Sequence, residues 1–283
     1  MDKSITAYMR EWTRDTLLAM QFLTIVPVRI KGAVTADDMP GAAAFFPAVG
    51  ALQGLLAIVV AMASSRFFDA GITACLILIS LSAVNGGFHL DGLADTSDAL
   101  AVKSSSDAVR DREKRLSVMK DSSTGAIGVA ALIFDLLLKF TLLQSLLMYS
   151  SSFTRCALLF MMPACAKWTM VQALHRSRPA RTGGLGSTFI SATGKREAIK
   201  ATVITVLAAL AVAEGFQHTR YAAAAAPLLF ILFGALYCLQ FMLVRFFDAR
   251  IGGMTGDTFG AVNEASEIIY LVVANAWLRL SIS

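Results

Sequence analysis

Three carboxylates, Asp91, Asp95 and Asp98, follow Gly86-Gly87-Phe88-His89-Leu90 at i, i+4 and i+7. A helix presents all three on one face, where like charges repel unless a cation sits among them. Oxygen-only ligands select a hard ion, and Mg²⁺ is the one that leaves part of its shell to substrate phosphates. A second acidic group, Asp257, Glu264 and Glu267, follows Gly252-Gly253-Met254-Thr255-Gly256, and Asn263 adds an amide. We read these glycine-flanked groups as halves of one metal site, with Asp91, Asp95, Asp98, Asp257 and Glu264 as its ligands. The plainer alternatives are a solvated acidic helix start for the first group and, for the second, a capping Asp257 with Glu264 and Glu267 hydrogen-bonding across a bundle.

Between the two groups lie Arg110-Asp111-Arg112-Glu113-Lys114-Arg115 and Met119-Lys120-Asp121-Ser122-Ser123-Thr124-Gly125-Ala126-Ile127-Gly128. The first run alone reads as a solvated basic face. The second combines a lysine, a carboxylate, hydroxyls and glycines, which can cradle an anion through backbone N–H groups. Arg181-Thr182-Gly183-Gly184-Leu185-Gly186 reads as a flexible loop tip, with a phosphate loop as the sharper alternative. Among the three histidines, His175 and His218 sit in loops, and only His89, two residues before Asp91, is placed for a site. Carboxylates with divalent cations and nearby basic residues point to phosphoryl transfer, in which two ions about 4 Å apart bridge a diphosphate. No Walker A, zinc or GxSxG motif occurs, so the energy should come from an activated diphosphate substrate.

The elements that hold these groups are read from composition. Of 283 residues, 56% are hydrophobic and 16% charged, and the mean hydropathy is +0.64. A water-facing domain carries about 25% charged residues, so the chain is expected to be an all-α, polytopic transmembrane helix bundle forming one catalytic domain over 1–283. Seven stretches are long and apolar enough to span, at about 41–63, 70–90, 125–148, 153–174, 198–216, 221–244 and 258–280. Residues 5–26 precede them as an amphipathic interfacial helix ending at Pro27. No apolar signal-peptide core is present at the N-terminus. Eighteen basic residues fall in the N-terminal segment (Lys3, Arg10, Arg14, Arg29, Lys31) and in the loops after the second, fourth and sixth spans, against four on the other side (Arg66, Arg155, Arg220, Arg279). That split places the N-terminus in the cytoplasm, the C-terminus outside and both acidic groups at the cytoplasmic face. The net charge of +5 therefore belongs to topology and calls for no nucleic-acid partner. Within spans, Asp135 and Lys139 are spaced to pair, and Lys167 either snorkels or meets an acidic partner. Cys75, Cys156, Cys165 and Cys238 read as buried structural thiols.

Taken in order, several motifs resemble those of cobalamin synthase, the adenosylcobinamide-GDP ribazoletransferase family. They are His89-Leu90-Asp91-Gly92-Leu93-Ala94-Asp95-Thr96-x-Asp98, Arg112-Glu113-Lys114-Arg115-Leu116-x-Val118-Met119-Lys120-Asp121-Ser122-x-x-Gly125 and Thr255-Gly256-Asp257-Thr258-x-Gly260-Ala261-x-Asn263-Glu264. Gln21-Phe22-Leu23-Thr24-Ile25-Val26-Pro27-Val28 and Phe45-Phe46-Pro47-x-Val49-Gly50 are similar too, so the likeness spans nearly the whole chain. It implies a Mg²⁺-dependent inner-membrane enzyme closing the nucleotide loop of vitamin B12. A hydroxyl of α-ribazole, or of α-ribazole 5′-phosphate, would attack the cobinamide-side phosphorus of adenosylcobinamide-GDP and release GMP. Two departures stand out: Ser123-Thr124 replace an expected arginine and aliphatic residue, and Leu100–Ser106 is serine-rich where glycines are usual.

On this basis Asp91, Asp95, Asp98, Asp257 and Glu264 are expected to hold Mg²⁺. Asp98 is the first choice for the base, with Asp121 as base or further ligand and Asp95 in the catalytic group. Lys120, Arg112 and Arg115 would neutralise the leaving phosphate, and His89, Ser122 and Asn263 would contact substrate. A homo-oligomer or an association with other corrinoid-pathway enzymes is compatible with this picture. Asp91-Gly92-Leu93-Ala94-Asp95 is also reminiscent of the CDP-alcohol phosphotransferase signature, but Asp95 stands where that signature has arginine. A lipid-directed phosphotransferase is therefore the rival within the same chemistry, and a cation-coupled transporter the rival outside it.

Overall fold

The structure, a computed structural model, describes residues 5–30, 32–217, 219 and 221–282. Lys3, Lys31 and Arg220 of the charge count, and His218, lie outside the described residues. Twelve α-helices and no strand occur among the described residues. The chain begins with α1 (Ile5–Leu23), α2 (Met39–Ala44), α3 (Phe46–Ser64) and α4 (Ala70–Val84). It continues with α5 (Phe88–Leu100), α6 (Ala108–Val118), α7 (Ala126–Tyr149) and α8 (Ser152–Arg176), then α9 (Leu185–Ala192), α10 (Lys195–Phe216), α11 (Ala222–Ile251) and α12 (Gly256–Ile282).

Helix α8 is the axis of the bundle. It is buried over nearly its whole length, and α3, α10, α11 and α12 pack around it. Small residues set how closely α3 can approach. A Cβ on Gly50 would lie 2.5 Å from the carbonyl oxygen of Pro163, and one on Gly54 would lie 2.3 Å from that of Phe160. This small-x-x-x-small contact is how helices associate where lipid offers no hydrophobic drive. The outward faces remain apolar: Leu52, Leu55 and Val59 of α3, Phe134 and Leu137 of α7, and Val203, Leu207 and Leu210 of α10 are all exposed. Apolar belts of this extent would be a liability in water and are the expected face toward hydrocarbon. Two of the four cysteines differ from expectation. All four are free thiols, but Cys75 and Cys238 are exposed on these outer faces, and only Cys165 is fully buried.

The expected seven spans resolve unevenly. Helices α3, α7, α8, α10 and α11 are individually long and apolar enough to cross a membrane, and a sixth crossing results if α4 and α5 count as one broken span. The stretch expected at 70–90 stops as a helix at Val84, and α5 leaves at 88° to α4. Gly86 and Gly87 make that turn with φ of +62° and +73°, a left-handed backbone that glycine adopts without penalty. The stretch expected at 258–280 is present as α12, 27 residues long, but it is too polar to qualify by composition. Packing explains this, because Asn263, Glu264 and Ser266 are buried against protein and do not meet lipid. The expected N-terminal helix ends at Leu23, short of Pro27, and its second half docks Leu18, Ala19 and Leu23 into the bundle.

Candidate active site at the meeting of two acidic helices

Helix α5 lies against the opening turns of α12, and glycine permits the contact from both sides. A Cβ on Gly92 would lie 2.6 Å from the Asp257 carbonyl oxygen, and a Cβ on Gly260 would lie 3.0 Å from that of His89. The glycine following Asp91 thus lets Asp257 reach the α5 carboxylates. Asp95 stands in the combined field of Asp91, Asp98 and Asp257. Asp91 is exposed and the other three are half-buried, so the four carboxylates form an accessible acidic mouth. Of the second acidic group, Asp257 is the member that comes near the α5 carboxylates.

Asp98 has a second task. Its carboxylate accepts the backbone N–H of Gly125 at 2.7 Å and of Gly128 at 2.8 Å, and so caps the start of α7. A Cβ at these positions would lie 2.6 and 2.4 Å from the Asp98 carboxylate oxygens, and at Gly128 it would also meet the Ala94 carbonyl oxygen at 2.9 Å. An anion at this place also complements the helix dipole. The Lys120–Thr124 loop leads into that cap and is exposed, including Lys120 and Ser122. Within it the Ser123 hydroxyl and backbone N–H both donate to Asp121, which holds the Asp121 carboxyl below the usual carboxylate range.

The structure places Arg112 and Arg115 against backbone carbonyls. Arg112 donates to the Ala180 carbonyl oxygen at 2.8 Å, with Gly252 packed on its guanidinium. Arg115 is buried and donates to Arg250 O at 3.0 Å and to Ser104 Oγ at 2.7 Å. Both therefore tie α6 to the loops that flank the mouth. The cation that faces the mouth is Arg181, whose Nη2 lies 3.5 Å from Asp257 Oδ2 and whose Nη1 is buried without a partner. Sequence reasoning missed this role. The signal was the glycine-rich segment after Arg181, where Gly186 packs so closely on Gly256 that a Cβ would lie 2.7 Å from its nitrogen.

Glu264 and Asn263 do not join the mouth. They belong to a buried network deeper along α12, in which Lys139 pairs with Glu264, with Glu267 at 2.7 Å and with Asp135 at 3.4 Å. Asn263 donates to Glu264 and Glu267, each at 3.1 Å, and accepts from Lys167 at 2.7 Å. The Asp135–Lys139 pair expected from spacing is present, and Lys167 finds an amide as its partner. His89 is buried beside this network, and its Nε2 has no hydrogen-bond partner.

The donor chemistry of the mouth fits a hard divalent cation. Asp91, Asp98 and Asp257 all act electrostatically on Asp95, all four groups are hard oxygen donors, and the Arg181 guanidinium offsets part of the charge at Asp257. Among the described residues no three such side chains are already gathered around a single point. Mg²⁺ is usually held in this way, by one or two carboxylates with water and substrate phosphates filling the rest. Beside Asp91 and Asp257 opens a cavity of about 390 Å³, walled mainly by apolar side chains of α1, α3, α8 and α9.

Comparison with known proteins shows the family. The sequence profile of the family described as cobalamin-5-phosphate synthase matches residues 15–275. The adenosylcobinamide-GDP ribazoletransferase of Thermodesulfovibrio yellowstonii is 30% identical over 259 residues, covering 90% of this chain and 94% of its own. Those of Clostridium novyi and Geotalea daltonii are each 32% identical, covering 92% and 90% of this chain and 95% and 94% of theirs. No solved structure matches the chain. The matched segment contains α5 and the acidic turns of α12, and the chain belongs to the cobalamin-5-phosphate synthase family.

Proposed function

We propose that this membrane enzyme joins adenosylcobinamide-GDP to α-ribazole, or to α-ribazole 5′-phosphate, and releases GMP. The observation that carries the reading is the convergence of Asp91, Asp95 and Asp98 on α5 with Asp257 on α12. The names of the relatives supply the substrates. In the reaction the acceptor hydroxyl forms a bond to the cobinamide-side phosphorus, the bond from that phosphorus to GMP breaks, and the hydroxyl proton passes to a carboxylate. Asp95, ringed by three other carboxylates, is placed to take that proton. Asp91, Asp95 and Asp257 are the side chains that would hold Mg²⁺, which when bound supplies charge neutralisation to a transferring phosphoryl group. Asp98 acts through the start of α7 and keeps the Lys120–Thr124 loop at the mouth. Arg181, with one nitrogen toward Asp257 and another without a partner, is the guanidinium available to the departing GMP phosphate.

The distribution of basic residues supports a cytoplasmic mouth in the inner membrane, with the N-terminus inside and the C-terminus outside. The test is release of GMP from adenosylcobinamide-GDP by membranes containing the protein, with and without α-ribazole and Mg²⁺. CDP-diacylglycerol serves as the competing donor. Acceptor-dependent GMP release that disappears in Asp91→Asn and Asp95→Asn is expected. Full turnover by those variants, or CMP released from the lipid donor, would overturn the reading.

A further inference from the structure

The cavity beside the mouth is lined by unlike groups. One part of its lining is an aromatic cluster in which Phe22 and Phe46 stack at 6.0 Å with 8° between their planes, and Phe189 closes on them at 4.4 and 5.5 Å. Phe46 and Phe189 are buried and hold Phe22 in place, and Phe22 is the ring of the three that keeps exposed surface. Asp91 and Asp257, two of the four mouth carboxylates, also line it. No lysine or arginine lines the cavity among the described residues. Its volume of about 390 Å³ falls in the range of about 300–1,000 Å³ typical of small-molecule sites.

We infer that this cavity is the acceptor subsite: a flat, uncharged aromatic base lies against Phe22, which Phe46 and Phe189 back, and the attached ribose turns its hydroxyls toward Asp91 and Asp257. The assignment rests on the proposed function for the identity of the two substrates. It distinguishes them by size: the macrocycle of the donor exceeds a cavity of about 390 Å³, whereas a nucleoside fits it. The acceptor is a benzimidazole nucleoside, with one apolar face to bury and hydroxyls that can donate to carboxylates. Aromatic rings pair favourably in offset or tilted geometry, and the three phenylalanines already adopt such geometry. A base seated here leaves its sugar at the four carboxylates, where the hydroxyl proton must go.

The test uses the full chain in membranes, with initial rates of GMP release measured while each substrate is varied in turn. For Phe22→Leu the KM for α-ribazole should rise about tenfold, as expected for loss of one aromatic partner, while the KM for adenosylcobinamide-GDP stays within about twofold. An unchanged acceptor KM, or an equal rise in both, overturns the assignment while leaving the proposed function standing. A wild-type protein that releases no GMP under any acceptor condition overturns the proposed function instead. The exposed rim offers a measurement that spares the core and needs no turnover. In Leu185→Cys, maleimide labelling at position 185 should be slowed by free α-ribazole and not by GDP. Labelling that GDP slows and α-ribazole does not would place the donor here and refute the inference. Equal labelling with and without saturating α-ribazole would refute it as well.

Discussion

Gly92 of α5 and Asp257 of α12 are in backbone contact: a Cβ on Gly92 would sit 2.6 Å from the Asp257 carbonyl oxygen. That carbonyl is main chain and cannot move alone, so a side chain at 92 must push the two helices apart. The separation of the α5 carboxylates from Asp257 is thus set by a missing methyl group.

Gly92→Ala should therefore damage activity far more than folding. Misplacement of catalytic groups by about 1 Å costs about 10²-fold in rate, and a loss of that order is expected in GMP release. The variant should still insert into the membrane at close to wild-type yield. Wild-type turnover with alanine at this position would refute the contact.

Lys139 should be indispensable to stability. It is buried against Asp135, Glu264 and Glu267, and removing it strands their charge. Breaking such a buried pair costs about 3–5 kcal/mol, so Lys139→Met should lower the melting temperature sharply in detergent. Adding Glu264→Gln to Lys139→Met should recover part of the loss. Glu264→Gln alone should leave the Mg²⁺ concentration for half-maximal rate unchanged, whereas Asp257→Asn should raise it. A shift in that concentration for Glu264→Gln would return Glu264 to the metal site.

Asp98 should behave as a cap with a catalytic consequence. Loss of a capping side chain costs about 0.5–2 kcal/mol, and Asp98→Ala should destabilise by that amount while slowing turnover. Asp98→Asn keeps an acceptor for one of the two N–H groups and should recover most of the stability. If both variants melt like wild type, the link to Gly125 and Gly128 is absent.

Arg181→Ala should lower kcat/KM for adenosylcobinamide-GDP by about 10²-fold, and Arg181→Lys should restore it only in part, because a point charge lacks the second donor. An effect confined to the KM for α-ribazole would instead place Arg181 on the acceptor side.

Asp15, in the N-terminal helix, sets a pH dependence of stability. Burial pushes its carboxyl up to about 6, with Glu11 adding to the rise, and Gly41 packs directly on the carboxylate. An acid whose folded value is raised costs stability when ionised. Stability should therefore fall between about pH 4 and 6 and stay lower above that range. Asp15→Asn should remove this slope and raise the melting temperature at pH 7.5 relative to wild type. An unchanged pH profile would refute it.

Much of this was legible in the residues. Low charge and long apolar runs imply a helical membrane bundle, and the spacing of Asp91, Asp95 and Asp98 implies one acidic face, because both follow from local periodicity. Less legible was how far that face extends along α12. Asp257 and Glu264 share a face by spacing, but seven residues of helix rise about 10 Å, so one stands at the mouth and the other lies a turn or more inside. Whether Glu264 meets a metal or Lys139 depends on how α7 sits beside α12.

The sequence by itself determined the class of protein, the glycines and carboxylates of the site, and through its motifs the family. Tertiary structure alone decided the partners: Arg181 for Asp257, Lys139 for Glu264, backbone N–H groups for Asp98, and carbonyl oxygens for Arg112 and Arg115. Periodicity is a property of one helix, whereas each of these partners comes from a segment distant in the chain and is brought close by the packing of different helices and loops.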